Sequence, residues 1–260
     1  MTKTLSILGL SLLAMTSCSS TRITPSNTFV TLEVAANDVR EISSCCGINV
    51  IYTQSPQTSV KVNAPENYVD YIKVTVDEGE LEARLDFGLN NVSFDSGKIT
   101  VYVNSPVLNE IDVNSAASVT VSGGLKISSD LDIESSSSAS VLIDGFEGGG
   151  LDIDSSSSAT VKINSVKAAK VSAEASSSAT IVISDISADK VSSEANSSAD
   201  ITLSGKSTIV DFEASSSAEI NATALKAASG SAEASSSGTI RCSVKNLSQE
   251  SSSSGRIKNS

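Results

Sequence analysis

From Leu131 onward the chain alternates apolar and polar residues, breaks at a run of serines, and alternates again. Leu151 to Ile163 reads Leu-Asp-Ile-Asp-Ser-Ser-Ser-Ser-Ala-Thr-Val-Lys-Ile. Leu151 and Ile153 point one way and Asp152 and Asp154 the other. Beyond the serines, Val161 and Ile163 share a side opposite Thr160 and Lys162. A period of two is the period of a strand. No segment carries an apolar stripe at helical spacing for the length a helix needs. Each unit is predicted to be strand, tight polar turn, strand and short return. The small residue closing each serine run falls at Ala139, Ala159, Ala179, Ala199, Ala218, Gly238 and Gly255, at spacings of 20, 20, 20, 19, 20 and 17. A fixed period near twenty marks a solenoid.

Superposing the copies predicts the interior. Leu131, Leu151, Val171, Val191 and Val210 form one column. Ile143, Ile163, Ile183, Leu203, Ala222 and Cys242 form a second, and Phe146, Val166, Ile186 and Leu225 a third on the return segments. Ala139, Ala159, Ala179, Ala199, Ala218 and Gly238 face inward beside the turn, where two strands converge and a bulky side chain has no room. One coil cannot bury its inner face alone, and stacked neighbours make one core. At the inter-strand spacing of ~4.8 Å the seven serine-run coils rise roughly 30 Å. The serines, as corner residues, are expected to form hydroxyl ladders along that edge.

Phe29 to Val113 shows strands without a period: Phe29–Val34, Gly47–Tyr52, Ser59–Ala64, Ile72–Val76, Glu80–Phe87 and Lys98–Val103, with a turn at Asp77-Glu78-Gly79. An open coil end is an exposed sheet edge, so this region is expected to supply longer, irregular coils that begin the stack. The expected organisation is one domain over 29–260, with irregular coils at 29–113 and regular repeats at 114–260.

Before it, residues 1–17 read as a secretion signal. Lys3 supplies the positive start and Leu5 to Met15 an apolar stretch. The stretch is too short to span a bilayer. Met15-Thr16-Ser17-Cys18 resembles a bacterial lipobox, which implies cleavage before Cys18 and acylation of that residue. Residues 18–28 then read as a tether. Cys242 falls in an apolar column and reads as a core residue. Cys45 and Cys46 read as neighbours on a strand, one facing in and one out. No disulfide framework is expected, because adjacent Cα atoms stand closer than disulfides prefer.

The formal charge is −12, and −13 without Lys3. That balance argues against nucleic-acid binding, which needs a basic patch, and leaves the lipid anchor as the expected link to the membrane. With no histidine, His-based triads and His-ligated metals are excluded. The five arginines, at 22, 40, 84, 241 and 256, avoid the regular coils from Leu131 to Ile220. Gly148-Gly149-Gly150 lacks the following lysine and helix of a phosphate loop. No catalytic residue and no cofactor is expected.

Ser44-Cys45-Cys46-Gly47-Ile48-Asn49-Val50-Ile51-Tyr52, Asp77-Glu78-Gly79-Glu80-Leu81 and Ser105-Pro106-Val107-Leu108-Asn109-Glu110-Ile111 resemble the head GIN domain family of putative autotransporter adhesins. Turns such as Ser177-Ser178-Ala179 and Ser236-Ser237-Gly238 stand where that family repeats Gly-Ser-Gly. The resemblance covers residues 29–260. It implies an all-β, right-handed parallel β-helix and a cell-surface role, and carries over no catalytic residue.

The reading is therefore a non-enzymatic, lipid-anchored envelope protein, placed at the outer membrane, that adheres to or binds a surface glycan or protein. A homo-oligomer is compatible with this. The alternatives are a polysaccharide-active enzyme on the same fold and a purely structural envelope component. One acidic residue precedes each serine run, at Glu134, Asp154, Glu174, Glu194, Glu213, Glu233 and Glu250. Parity turns all of them outward, and Glu174, Glu194, Glu213 and Glu233 are the candidates for a linear calcium strip.

Overall fold

The computed structural model describes residues 21–86, 92–93 and 95–260. The expected signal over 1–17 and the lipidation candidate Cys18 lie outside them. The chain forms a parallel β-solenoid of about 8 turns. The predicted columns stack in register. Leu131, Leu151, Val171, Val191 and Val210 are successive partners, as are Ile143, Ile163, Ile183 and Leu203. Every one of these side chains is buried. The return column runs Leu125, Phe146, Val166, Ile186, Gly205, Leu225. Gly205 interrupts it because the backbone comes too close: a Cβ there would sit 2.2 Å from the Ile186 carbonyl oxygen. Between these columns Ile133, Ile153, Ala173, Ser193, Phe212 and Ala232 succeed one another, and large side chains are offset by small ones as close packing requires. Phe212 is stacked between Ser193 and Ala232.

The corner is held by backbone rather than by the expected hydroxyl ladder. In each serine turn the residue after the run donates its N–H back three positions, as Ala179 does to the Ser176 carbonyl at 3.0 Å. Both central residues are left-handed: Ser177 has φ 51 and Ser178 φ 66, and all seven serine turns repeat this. That is a type I′ turn, built here without glycine at its centre. The second central residue then donates to the carbonyl of the first central residue in the next coil. Ser138 bonds Ser157, Ser158 bonds Ser177, and Ser178 bonds Ser197, each at 3.0 or 3.1 Å. Parallel stacking directs these amides and carbonyls along the axis, so they meet each other, while the hydroxyls of Ser177 and Ser178 face solvent. A buried hydroxyl pair exists one position before the turn, where Ser135 donates to Ser155 at 2.9 Å. The small column behind the turn is as expected: Ala159, Ala179 and Ala199 are each at most 1% exposed.

The N-terminal region caps the stack out of chain order. Glu41–Ser44 lies between Glu110–Val113 on one side and Glu80–Leu85 on the other. Asn49–Gln54 lies likewise between Ser118–Ser122 and Thr100–Ser105. The coil over 80–105 is thus the outer one, and the chain passes it before returning beneath the coil over 41–54. Antiparallel strands finish the end: Ser59–Pro65 and then Phe29–Val34 on one face, and Ile72–Asp77 on the other. The hairpin at Asp77 and Glu80 turns through Glu78 and Gly79, both at positive φ, the conformation that matches strand twist.

Two expectations change here. Cys45 and Cys46 are not on a strand. They follow Glu41–Ser44 and occupy the corner turn, with Cys46 at φ 65. The expected tether over 18–28 is docked from Thr21 onward. Thr21–Arg22 pairs with Val92–Ser93, Asn67 accepts from the Ser26 N–H and donates to the Thr24 carbonyl, and Tyr68 donates to the Ile23 carbonyl.

The corner supplies a paired test. Ala179→Leu overpacks a site without free volume and should cost on the order of 1–3 kcal/mol or more. Ser178→Gly removes a left-handed Cβ whose strain is of order 1 kcal/mol, partly offset by glycine's greater chain entropy. Denaturant melts should show a marked loss for the first and a small gain for the second. A comparable loss from Ser178→Gly would mean that the turn is not left-handed.

Candidate binding groove

The stacking that aligns the core also aligns surface charge. Asp112, Glu134, Asp154, Glu174, Glu194, Glu213, Glu233 and Glu250 are successive partners along one face. Beside them run Glu80, Glu41, Glu110, Asp132 and Asp152. Neighbours ~4.8 Å apart repel by somewhat under ~1 kcal/mol in water. Partial burial, and then the adjacent carboxylates, push Glu110, Asp132, Glu174 and Glu213 above the ordinary carboxylate range. The four residues expected to form a calcium strip stand one per coil on this face. Among the described residues no group of three or more carboxylates and thiols could hold a metal ion.

The return segments carry the opposite charge. Lys126, Glu147, Lys167, Ser187, Lys206 and Lys226 are successive partners over six coils. Glu147 binds Lys126 at 3.1 Å and Lys167 at 3.2 Å. These two bonds hold its carboxyl below the usual range. Gln54 closes one end of the file. Its side chain accepts from the Lys126 N–H and donates to the Lys126 carbonyl, as a neighbouring strand would.

Along this file lie two adjoining depressions of about 590 and 440 Å³, which share Glu147, Lys167 and Ser187. Together they make an open groove parallel to the solenoid axis. Its walls hold three lysines (Lys126, Lys167, Lys206) and three carboxylates (Glu147, Asp185, Asp189). Its floor is made of small residues such as Gly123, Gly145, Ala169 and Ser187. A Cβ on Gly123 would meet nothing within 4 Å. The groove lies outside the buried return column of Leu125, Phe146, Val166 and Ile186, where the outward residues between the charged side chains are small. Hydrophobic alternation does not mark it, because Gly, Ala and Ser carry no apolar periodicity. The signal that marks it is the recurrence of lysine at 126, 167, 206 and 226. Phe146 and Phe212 are buried, and of the tyrosines Tyr102, on the cap, is 45% exposed. The groove itself therefore offers hydrogen bonds and charge, not aromatic stacking.

The acidic face makes a pH prediction. A carboxyl whose folded pKa exceeds its unfolded value holds its proton more tightly when folded. Stability therefore declines as pH rises from about 4 through the raised values, and levels off above them. Glu147 acts in the opposite sense, below that window. At low salt the melting temperature should be higher near pH ~5 than near pH ~7.5, and added salt should narrow the gap. Calcium and sodium chlorides at equal ionic strength should do so equally. A flat profile would show that the file is not coupled.

Comparison with known proteins agrees with the architecture. The family model described as "Putative auto-transporter adhesin, head GIN domain" matches residues 38–165 and 151–260. No curated protein matches the chain. A putative adhesin from Parabacteroides distasonis ATCC 8503 superposes with a TM-score of 0.79 at 21% identity, covering 92% of this chain and 100% of its own. One from Parabacteroides merdae ATCC 43184 gives 0.78 at 20%, covering 93% and 100%. A putative adhesin from Bacteroides fragilis NCTC 9343 gives 0.68 at 24%, covering 92% and 100%. Identities at this level establish a common fold, and the family match over most of the chain establishes kinship: this protein belongs to the head GIN domain family of putative auto-transporter adhesins.

Proposed function

We infer that this is a lipid-anchored protein of the cell envelope, non-catalytic, whose β-solenoid holds an extended polar polymer such as a surface glycan along its return face. The observation that carries this reading is the axial groove. It spans successive coils, is open along its side, and presents both charge signs beside small residues. A chain-like ligand can follow such a trough and exchange hydrogen bonds coil by coil, whereas a small molecule would bury little of its surface there. The family's adhesin description supports a surface or envelope setting and a binding role. One structural relative, a putative lipid binding protein from Parabacteroides distasonis ATCC 8503, has a TM-score of 0.65 at 22% identity and covers 92% of this chain and 99% of its own. No helix among the described residues is long and apolar enough to cross a membrane. The proposed attachment is acylation at Cys18, where several acyl chains on one residue anchor firmly.

Two experiments test this. Cys18→Ala should move the protein from the membrane fraction to the soluble one, and persistence in membranes after a high-salt wash would remove the anchor. For the groove, the double variant Ala169→Trp/Ser187→Trp fills the trough with two exposed aromatic side chains. Glycan-array binding should fall at least ~10-fold, a loss of about 1.4 kcal/mol, with the melting temperature unchanged. Glu194→Gln, on the acidic face, should leave binding intact. Equal binding by the filled variant would place the contact surface elsewhere.

A further inference from the structure

The corner turn of the coil over 41–54 differs chemically from all the others. Its first two places are Cys45 and Cys46, where the regular coils have serine, or asparagine then serine at Asn114 and Asn196. The backbone is fixed from three directions. Cys45 donates to the Ala83 carbonyl at 3.1 Å, Ile48 donates to the Cys45 carbonyl at 3.3 Å, and Gly47 donates to the Ser115 carbonyl at 3.0 Å. Gly47 is also packed tightly, since a Cβ there would lie 2.3 Å from the Ser96 hydroxyl oxygen. These contacts hold Cys46 at φ 65, with no cis peptide bond. The consequence is a short approach of the two sulfur atoms, 2.6 Å from Cys45 Sγ to Cys46 Sγ, against ~2.05 Å in a disulfide bond.

Cys45 and Cys46 are neighbours in the chain. Their Cα atoms are ~3.8 Å apart across a trans peptide, below the ~4.4–6.8 Å range of ordinary disulfides. Here the turn does the work of bringing the thiols together. All three described cysteines are free. Cys45 and Cys46 are partly exposed and open to small reagents, whereas Cys242 is fully buried.

We propose that Cys45 and Cys46 form a reversible vicinal disulfide, closed by exchange with a small-molecule disulfide. Burial pushes the Cys45 thiol up to about 12, so the Cys46 thiolate attacks the external disulfide first, forms a mixed disulfide and expels one small thiolate. The other cysteine thiolate then attacks the protein sulfur of that mixed disulfide and expels the second. The two protons lost by the cysteines end on the two small thiols. Two protein thiols are oxidised to one bond, and one external disulfide is reduced to two thiols. The short Cα spacing strains the product, and strained disulfides have more oxidising potentials than structural ones. The bond is therefore a labile one that opens under mild reduction. It sits where the cap meets the repeats, because this turn bonds both the outer coil at Ala83 and the repeat side at Ser115. Closing it fixes that junction. The chemistry stands on this geometry alone; only its setting, an oxidising envelope compartment, rests on the reading of an exported protein.

The test uses the full chain treated with oxidised glutathione. Free thiols are then blocked in denaturant, and peptide mass spectrometry separates the Cys45–Cys46 peptide from Cys18 and Cys242. The expected result is an unblocked Cys45–Cys46 peptide lighter by two hydrogens, with Cys242 blocked. Millimolar dithiothreitol should restore two blockable thiols. Cys45→Ser should instead retain a glutathione adduct on Cys46, having no neighbour to displace it. Two blocked thiols after oxidation, stable glutathione adducts on the wild-type pair, or a cross-link between chains through this peptide would each overturn the proposal.

Discussion

The structure depends on hydrogen bonds that run along the axis at the corner. A parallel coil must reverse direction in two residues without leaving its layer, and a left-handed pair does that. The second amide of each pair would otherwise be unpaired. In the stack it finds the first carbonyl of the next turn, as Ser158 finds Ser177 and Ser217 finds Ser236. Each turn satisfies its neighbour, so strain at one Ser-Ser pair is tolerated only because the next coil repeats it. This is one-dimensional cooperativity, in which nearest-neighbour terms carry the stability. The same ladder continues into the cap through Gly47 and Ser115, so cap and repeats are one stack despite their unlike sequences.

Register then governs the surface as strictly as the core. A column is a column whether it holds isoleucine or glutamate. On the first face this places carboxylate beside carboxylate from Asp112 to Glu250 with no lysine or arginine in the file. On the return face it places Lys126, Lys167, Lys206 and Lys226 in one file. The net charge of −12 conceals this separation. A single number argues against a polyanionic partner for the whole molecule, yet it does not describe a trough where charges of both signs meet.

Legibility in the sequence followed periodicity. The buried columns, the inward alanines such as Ala179, and the outward carboxylates such as Glu174 were all readable, because stacked copies must agree at equivalent places. Where the chain does not repeat, local pattern was a poorer guide. Glu41–Ser44 is a four-residue strand in which Ile42 is the one large apolar side chain, too short for alternation to mark, so Cys45 and Cys46 read as strand residues although they occupy the turn. Nothing local indicates that the coil over 80–105 lies outside the coil over 41–54; that order comes from which edges remain to be paired. The serine turns were readable as turns but not as left-handed, since Ser lacks the Gly or Asn signature of a type I′ turn. The groove's floor carries no such signal, because it consists of residues defined by what they lack.

These constraints locate where the chain can change sequence without losing the stack. The two long strand faces must keep their period, because every substitution inward meets the coils above and below. The return segments are freer. Their register shifts between Ile183 and Ile186, between Thr202 and Ser204, and between Ala222 and Lys226, and the coils absorb these shifts without losing the strands on either side. Side chains there can change number and size without disturbing the Ile/Val columns, which is the usual division between a rigid scaffold and the segments that carry recognition. The groove lies on this tolerant edge and the left-handed turns on the intolerant one. On the proposed reading of the groove, specificity resides in the return segments, around Lys126, Lys167 and Lys206, and stability in the serine corner.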